Sequence, residues 1–309
     1  MEQEFAQFAE RTSCIQCGGK KLRELSSGLF NEGLVRQFIA ADPWGEHPAP
    51  FLIGRRWSYV KCEACMQAFH RYILVPEWNE RRFTQWMSQE AIASFEKDLK
   101  TPARLFGHGA NHAMHVLRLE ALTRDLRGAA PVRVLDFGCG YGQFLSMCSL
   151  FGFEAIGVDR SSAKRDNGVV SILADIAEVR HLKFHALTLF EVMEHLDDPR
   201  SLLKELAALL LPGGILVLEA PNCEGVTGIG TLKEYRKIDP LEHINGFTPA
   251  TLQRLAESLG FKRIQPPAAY VTTELARVAR NRVKHALAPA LKDSTQQYFR
   301  KTVGSVPDS

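Results

Sequence analysis

The sequence has no apolar run approaching the about 18 residues that a membrane-spanning helix needs, so no such helix is expected. Its first ten residues, MEQEFAQFAE, are acidic and lack an apolar core, so they do not read as a secretory leader and a cytoplasmic protein is expected. There is no low-complexity tract and no internal repeat, which excludes fibrous and solenoid architectures. Net charge is small: 38 Lys and Arg against 35 Asp and Glu give +3. From Val271 onward there are seven basic and three acidic residues, so the first 270 residues carry a net −1. The basic balance belongs to the tail and gives no nucleic-acid-binding face spread over the chain. Cysteine is sparse and odd in number, seven in all. Four of the seven form two C-x-x-C pairs, a pattern that suits a reducing compartment better than a disulfide framework.

What is present centres on Val132–Leu145, VRVLDFGCGYGQFL. Alternating β-branched and apolar residues lead to Asp136, then Gly138, Gly140 and Gly142 fall at every second position, and a helical run begins at Gln143. Strand, tight glycine turn and helix N-terminus together let backbone N–H groups approach a ligand closely. The spacing is not G-x-G-x-x-G, because Gln143 stands where a dinucleotide fingerprint has its third glycine. A carboxylate two residues before the first glycine repels a pyrophosphate and attracts an ammonium group. The D-x-G-x-G-x-G pattern resembles the nucleotide-proximal loop of class I S-adenosylmethionine-dependent methyltransferases.

Residues 1–75 carry Cys14-Ile-Gln-Cys17-Gly-Gly and Cys62-Glu-Ala-Cys65, with the strand-like Trp57–Val60 before the second pair. Two residues between thiolates aim both sulfurs at one tetrahedral ion, so a zinc-ribbon-like unit holding a structural Zn²⁺ is expected. The 44 residues between the pairs exceed the usual spacing and read as an inserted loop. Four protein thiolates leave the ion no open position, which gives it no catalytic role. Residues 76–128 read as a helical, substrate-shaping linker, with helices at Glu80–Met87, Ala91–Lys100 and Asn111–Leu126. Within it His108, His112 and His115 share helical spacing and read as histidines packed beside the core or else as a metal or substrate site, but Gly107 and Gly109 place His108 ahead of the regular helix.

Residues 129–272 alternate strand and helix, which predicts a mostly parallel sheet. Expected strands are Val132–Asp136, Glu154–Val158, Val169–Leu173, Ala186–Phe190 and Gly214–Ala220, followed by Phe261–Ile264 and Ala268–Thr273. Helix Pro199–Leu211 has leucines at helical spacing, and Thr248-Pro249 opens another that closes at Gly260. Residues 273–309 read as a basic tail in which Arg277, Arg280, Arg282 and Lys284 make a solvated helix or, alternatively, one that touches a partner or an acidic surface.

Ligands of open α/β sheets sit beyond the carboxyl ends of the strands. After the second strand, Asp159 lies 19 residues beyond Gly140 and can take both hydroxyls of a ribose, or cap the Ser161-Ser162 helix. After the third, Asp175 and Ile176 offer a carboxylate and an apolar contact. The fourth ends Phe190-Glu-Val-Met-Glu194-His195, where the acid and the imidazole can cap and pack or, for His195, act as a base. His243, in the loop after the fifth strand, is the better candidate base, or else hydrogen-bonds its own loop.

Phe190–His195, Leu-Leu-Pro-Gly-Gly at 210–214 and Glu242-His243-Ile-Asn-Gly-Phe also resemble the small-molecule branch of the class I methyltransferases, in the family's order over residues 112–272. The resemblance implies a Rossmann-like seven-stranded sheet with helices on both faces and S-adenosyl-L-methionine as cofactor. It places Asp136, Gly138, Cys139 and Gly140 at the amino-acid part, Asp159 and Arg160 at the ribose, Asp175 and Ile176 at the adenine, and Phe190 with Glu191 near the sulfonium. The two C-x-x-C pairs resemble the cysteine-rich domain that precedes such cores in bacterial sugar and glycan methyltransferases. The extra C-terminal domain of sugar C-methyltransferases has no clear counterpart. Methyl transfer to oxygen of a small molecule or glycan precursor, or to carbon of a sugar nucleotide, is therefore expected. An RNA acceptor is the first alternative, although the Asn-Pro-Pro-aromatic and Pro-Cys patterns of nucleic-acid enzymes are absent after the fourth strand. A non-catalytic scaffold that binds the cofactor is the second.

Overall fold

The computed structural model describes residues 4–87, 91, 102–128, 130–166, 168–272, 274–276, 278–280, 282–283 and 294–302. The helix expected at Ala91–Lys100 and the tail residues Arg277 and Lys284 lie outside the described residues, Ala91 itself excepted. In chain order the strands are β1 (Phe8–Glu10), β2 (Leu22–Leu29), β3 (Arg56–Cys62), β4 (Ala68–His70), β5 (Tyr72–Leu74), β6 (Arg133–Phe137), β7 (Glu154–Val158), β8 (Ile172–Leu173), β9 (Phe184–Phe190), β10 (Leu210–Pro221), β11 (Asn245–Gly246), β12 (Phe261–Ile264) and β13 (Ser294–Lys301). The chain divides into two compact units, and the first of them is discontinuous: Met1–Thr101, Glu194–Arg200 and Pro221–Thr251. The second comprises Pro102–Met193, Ser201–Ala220 and Leu252–Ser309.

The first unit is built on antiparallel pairing, with β1 against β5 and a four-stranded sheet in the order β11-β4-β3-β2. Its core is aromatic: Phe30, Trp57, Tyr59, Trp78 and Trp86 bury together, joined by Tyr235, Ile238 and Leu241 from the returning segment. A separate small cluster collects Cys14, Cys62 and Cys65 around Val60 and Phe69.

The second unit holds a Rossmann-like seven-stranded sheet, mostly parallel, in the order β12-β13-β10-β9-β6-β7-β8. Strands β6 to β10 run parallel, and β12 and β13 pair antiparallel. The chain lays β7 and β8 on one side of β6 and returns to lay β9 and β10 on the other, so the order reverses between β6 and β9. Such a switch point opens a crevice beyond the carboxyl ends of the two strands. Val134, Leu135, Leu187, Leu189, Val217 and Leu218 are all buried, the near-continuous apolar pattern of strands covered by helices on both faces.

Three expectations change. The third parallel strand is only Ile172–Leu173, since Val169 is exposed and its N–H donates to the Tyr141 carbonyl. Of the strand expected at Ala268–Thr273, residues 268–272 are described and form none, because Pro266 and Pro267, one residue beyond β12, end its ladder; Thr273 lies outside the described residues. The expected strand's place in the sheet goes to β13, within what reads in sequence as tail, where Tyr298 and Phe299 are buried. Helix Pro102–Leu122 runs straight through Gly107 and Gly109, so His108 lies inside it.

Candidate active site

Strand β6 delivers the chain into the glycine turn at the switch point. Gly138, Gly140 and Gly142 have φ of +72°, +57° and +77°, the left-handed region that costs any residue with a Cβ. Gly138 N–H donates to the Val158 carbonyl (2.8 Å) and Gly142 N–H to that of Cys139 (3.0 Å), which closes the turn onto β7. A Cβ on Gly140 would meet nothing within 4 Å, so the backbone there is open to close approach. Helix Gln143–Leu150 starts directly after Gly142.

Asp159, at the end of β7, is buried and receives two backbone N–H groups: Gly140 on Oδ2 at 2.8 Å and Ser161 on Oδ1 at 2.9 Å. It therefore clamps the glycine turn to the helix that follows β7. Two N–H groups fill half of a carboxylate's roughly four acceptor positions, which leaves capacity for two ligand hydroxyls. Arg160 beside it is exposed.

Asp136 is almost fully buried and accepts a hydrogen bond from the Thr188 hydroxyl at 2.6 Å. Burial raises its carboxyl to about 7; Thr188 opposes the rise and Asp159 adds to it. Such a group is half ionised near neutrality, and a cation placed beside it drives it to the charged form. Burial, with Asp136 and Asp159 nearby, pushes the Cys139 thiol up, so this cysteine is a protonated wall residue and not a nucleophile.

Asp175 is exposed and caps the short 3₁₀ turn Ile176–Val179: its Oδ1 accepts from Ala177 N–H at 2.7 Å, and Glu178 reaches back to its own N–H. Ile176 is buried next to it. At the end of β9, Phe190 packs on His115 (ring centroids 4.7 Å apart) and Phe144 (5.1 Å). Glu191 is left-handed at φ +54°, and its N–H donates to the Glu219 carbonyl at 2.9 Å. Non-glycine residues in that region persist where surrounding structure holds them, often at functional edges.

Sequence reasoning did not reach the network behind Phe190. His115 is fully buried, with Nδ1 2.6 Å from the Tyr298 hydroxyl. The Gln296 amide donates to His115 Nε2 (2.9 Å) and to Glu219 (2.8 Å), which assigns the ring proton to Nδ1. These partners are separated from His115 by about 100 residues or more, so no local spacing announces them. His108 is exposed, and burial lowers His112 to about 4. Among the described residues, neither donor group able to converge on an ion includes these three histidines.

Both such groups lie in the first unit. The four cysteine sulfurs lie within 4.8 Å of one another, with Cys14 to Cys65 at 3.4 Å and Cys17 to Cys62 at 3.7 Å. A tetrahedron of about 2.3 Å Zn–S bonds has edges of about 3.8 Å, so the donor set fits zinc. Each pair sits in a tight turn, closed by Gly18 N–H to the Cys14 carbonyl and Met66 N–H to the Cys62 carbonyl, both at 2.9 Å. The other group is Glu194, His195 and His243. Glu194 is buried in the turn Met193–His195, and the rings of His195 and His243 meet edge to face at 4.7 Å. Burial lowers the His243 imidazole, so it is neutral near pH 7.

A model of the methyltransferase domain matches residues 79–265, more than half of the chain. The ubiquinone biosynthesis O-methyltransferase of Xanthomonas axonopodis pv. citri is 32% identical over 125 residues, 36% of this chain and 52% of the relative. That of Xanthomonas oryzae pv. oryzae is 33% identical over 127 residues, with the same coverage. The chain thus spans about half the length of the curated relatives it matches. Among solved structures, a SAM-dependent methyltransferase from Archaeoglobus fulgidus is 23% identical, covers 65% of this chain and all of its own, and gives a TM-score of 0.41. The plantazolicin methyltransferase BpumL is 15% identical over 69% of this chain and 91% of its own, with a TM-score of 0.47.

Proposed function

Because this chain belongs to the methyltransferase-domain family, as a class I S-adenosylmethionine-dependent methyltransferase, we propose that it methylates a hydroxyl oxygen of a small-molecule or glycan-precursor acceptor. Bound at the glycine turn, the cofactor supplies a methyl group already activated on a sulfonium. Asp136, Gly138 and Gly140 would hold its amino-acid part, Asp159 its ribose, Asp175 and Ile176 its adenine, with Phe190 and Glu191 beside the sulfonium. The clamped turn, the open backbone at Gly140 and the spare acceptor capacity of Asp159 support that fit. What remains for the chain is to align the acceptor and remove its proton. Alignment is worth about 7–11 kcal/mol in a bimolecular transfer. A positioned base typically adds about 10²–10⁴-fold.

The observation that carries the oxygen reading is the pair of imidazoles at His195 and His243, the latter neutral and with a buried Nδ1 that has no hydrogen-bond partner among the described residues. A hydroxyl needs its proton taken, and this pair offers nitrogen lone pairs for the purpose. Glu194 and His195 follow β9 by four and five residues, and His243 lies on the segment that leaves β10. The O-methyltransferase relatives support the same choice. Cys14, Cys17, Cys62 and Cys65 are assigned to a structural Zn²⁺ that fixes the first unit.

A panel of phenolic, aliphatic and sugar hydroxyl acceptors, read by S-adenosylhomocysteine release, tests the reading. His243→Ala is expected to lower turnover by roughly 10²-fold or more while S-adenosylhomocysteine affinity stays within about twofold. Wild-type turnover in that variant removes the imidazole from the reaction, and transfer to carbon acceptors alone removes the oxygen assignment.

A further inference from the structure

Asp136, Asp159 and Asp175 stand on or just after β6, β7 and β8, all to one side of β9, and β10 lies on its other side. In-line transfer brings the nucleophile to the methyl group from the side opposite the sulfur. An acceptor that meets a cofactor held by those three strands therefore comes to the ends of β9 and β10. There Glu219 is level with Phe190 in the parallel pair, and level residues of neighbouring strands point to one face of the sheet. The Glu191 N–H on the Glu219 carbonyl carries that register past the end of β9. The Glu219 side chain is 15% exposed, and its Oε2 accepts from the Gln296 amide at 2.8 Å. Arg118 Nη1 donates to Gln296 Oε1 at 3.3 Å, which turns the amide N–H groups to Glu219 and His115. His115, neutral because it accepts at Nε2, is backed in turn by the Tyr298 hydroxyl. Neither the amide nor the imidazole carries charge, so together they fix the direction of the carboxylate without cancelling its field.

We propose that Glu219 determines which acceptors are methylated: it admits those that bring a hydrogen-bond donor, hydroxyl or ammonium, beside the reacting oxygen, and excludes those that bring a carboxylate or phosphate there. The proposal rests on the oxygen-acceptor reading above. A carboxylate has roughly four acceptor positions, so a donor from the acceptor adds to the bond from Gln296 without displacing it. An anion in the same place meets a like charge in a partly buried setting, where repulsion is stronger than in water. Gln296 is the positioning residue. Without its amide the carboxylate turns away from the strand ends and the selection weakens.

Two matched series of acceptors test this on the full chain, with transfer read by S-adenosylhomocysteine release. One comprises the meta-hydroxymethyl, meta-aminomethyl and meta-carboxyl phenols; the other comprises methyl glucoside, its analogue with an amine on the primary carbon, and methyl glucuronide. In the series that reacts, wild-type kcat/KM should be roughly 10²-fold higher for the hydroxymethyl and amine members than for the carboxylate. Glu219→Gln should raise the carboxylate member and lower the amine member by roughly tenfold or more each, whereas damage to packing alone lowers all three alike. Gln296→Leu should reduce the same discrimination, and adding it to Glu219→Gln should change the ratio no further. Retained S-adenosylhomocysteine binding shows that the variants are folded; should Glu219→Gln not fold, the wild-type ranking and Gln296→Leu decide. A wild-type chain that takes the carboxylate member as readily as the others, or a folded Glu219→Gln with the wild-type ranking, overturns the proposal. If hydroxyls are methylated without ranking by charge, the role of Glu219 falls and the oxygen-methylation reading stands. A chain that methylates no hydroxyl of either series loses both.

Discussion

Asp136 gives the most direct test of how this chain receives its cofactor. Its carboxyl, ordinarily near 3.8, is raised to about 7, first by burial, with Asp159 adding and Thr188 opposing. If the α-ammonium of the ligand lies beside it, binding selects the ionised carboxylate. The free protein has about 3% of that form near pH 5.5 and about half near pH 7, so affinity should rise about 15-fold over that interval. The interval stays below the range in which an α-ammonium loses its own proton. Asp136→Asn should flatten the profile and weaken binding most at pH 7. Stability carries the opposite sign. A raised carboxyl contributes stability in full below its unfolded value, and that contribution is lost as pH rises through about 7. The loss is at most about 4 kcal/mol, the interval from 3.8 to about 7 at 1.36 kcal/mol per pH unit. The Asn variant should therefore gain thermal stability relative to wild type at pH 8 and not at pH 4. Isothermal titration with S-adenosylhomocysteine from pH 5.5 to 7, beside melting curves at pH 4 and 8, reads both. A flat wild-type binding profile, or an Asn variant that binds as tightly as wild type at pH 7, refutes the reasoning.

Gly138→Ala combines a left-handed φ of +72° with a new Cβ 2.5 Å from Val192 Cγ2. About 1–2 kcal/mol for the backbone and about 1–3 for the overpacking should appear in chemical denaturation, and a loss under about 1 kcal/mol would mean the turn relaxes freely. Removing zinc with a strong chelator should lower the melting temperature of the chain, because a structural site contributes folding energy directly. Metal analysis before and after Cys65→Ser checks the assignment: equal zinc content in the two proteins rules the cysteines out as its ligands.

The cofactor unit was legible because its signals are local. Alternating apolar strands, glycines at every second position and an acid at the end of β7 all act within a few residues of themselves, so β6, β7 and β9 fall close to where the pattern puts them, while β10 begins four residues early, at Leu210, in place of the last turn of the expected helix. Thr248 caps its helix, accepting from Thr251 N–H at 3.2 Å, for the same reason. What was not legible depends on chain return. Strand β13 fills a sheet position between β10 and β12 although 29 residues separate it from the end of β12, and its polar Thr295 and Gln297 conceal a buried strand. His115 has helical spacing with His108 and His112, which suggests a shared face, yet its partners Tyr298, Gln296 and Glu219 come from distant strands. Asp136 reads as a ligand-facing acid. Only the fold supplies Thr188, on the adjacent β9, as the partner that buries it.

The same dependence on returning chain bears on the cysteine-rich region, which in sequence reads as a unit ending near residue 75. Its sheet is completed by β11, and its core by Tyr235, Ile238 and Leu241. Arg11, whose guanidinium burial lowers to about 9, donates to the Ile244 carbonyl and to Asn245 Oδ1, both at 2.8 Å. His70, fully buried, has Nε2 2.8 Å from the Ile238 carbonyl. Cutting the chain at residue 75 strands these groups at about 1–3 kcal/mol each and exposes apolar side chains worth about 1.5–3 kcal/mol apiece. A core of that size rarely supplies more than about 3–5 kcal/mol without staples, so the losses exceed what it has. Residues 1–75 expressed alone should show no cooperative melting transition, even with zinc bound at the four cysteines, while the full chain melts cooperatively. A sharp transition in the fragment would show that the zinc cluster alone specifies the fold, and that the segments returning from β9 and β10 dock onto a surface already formed.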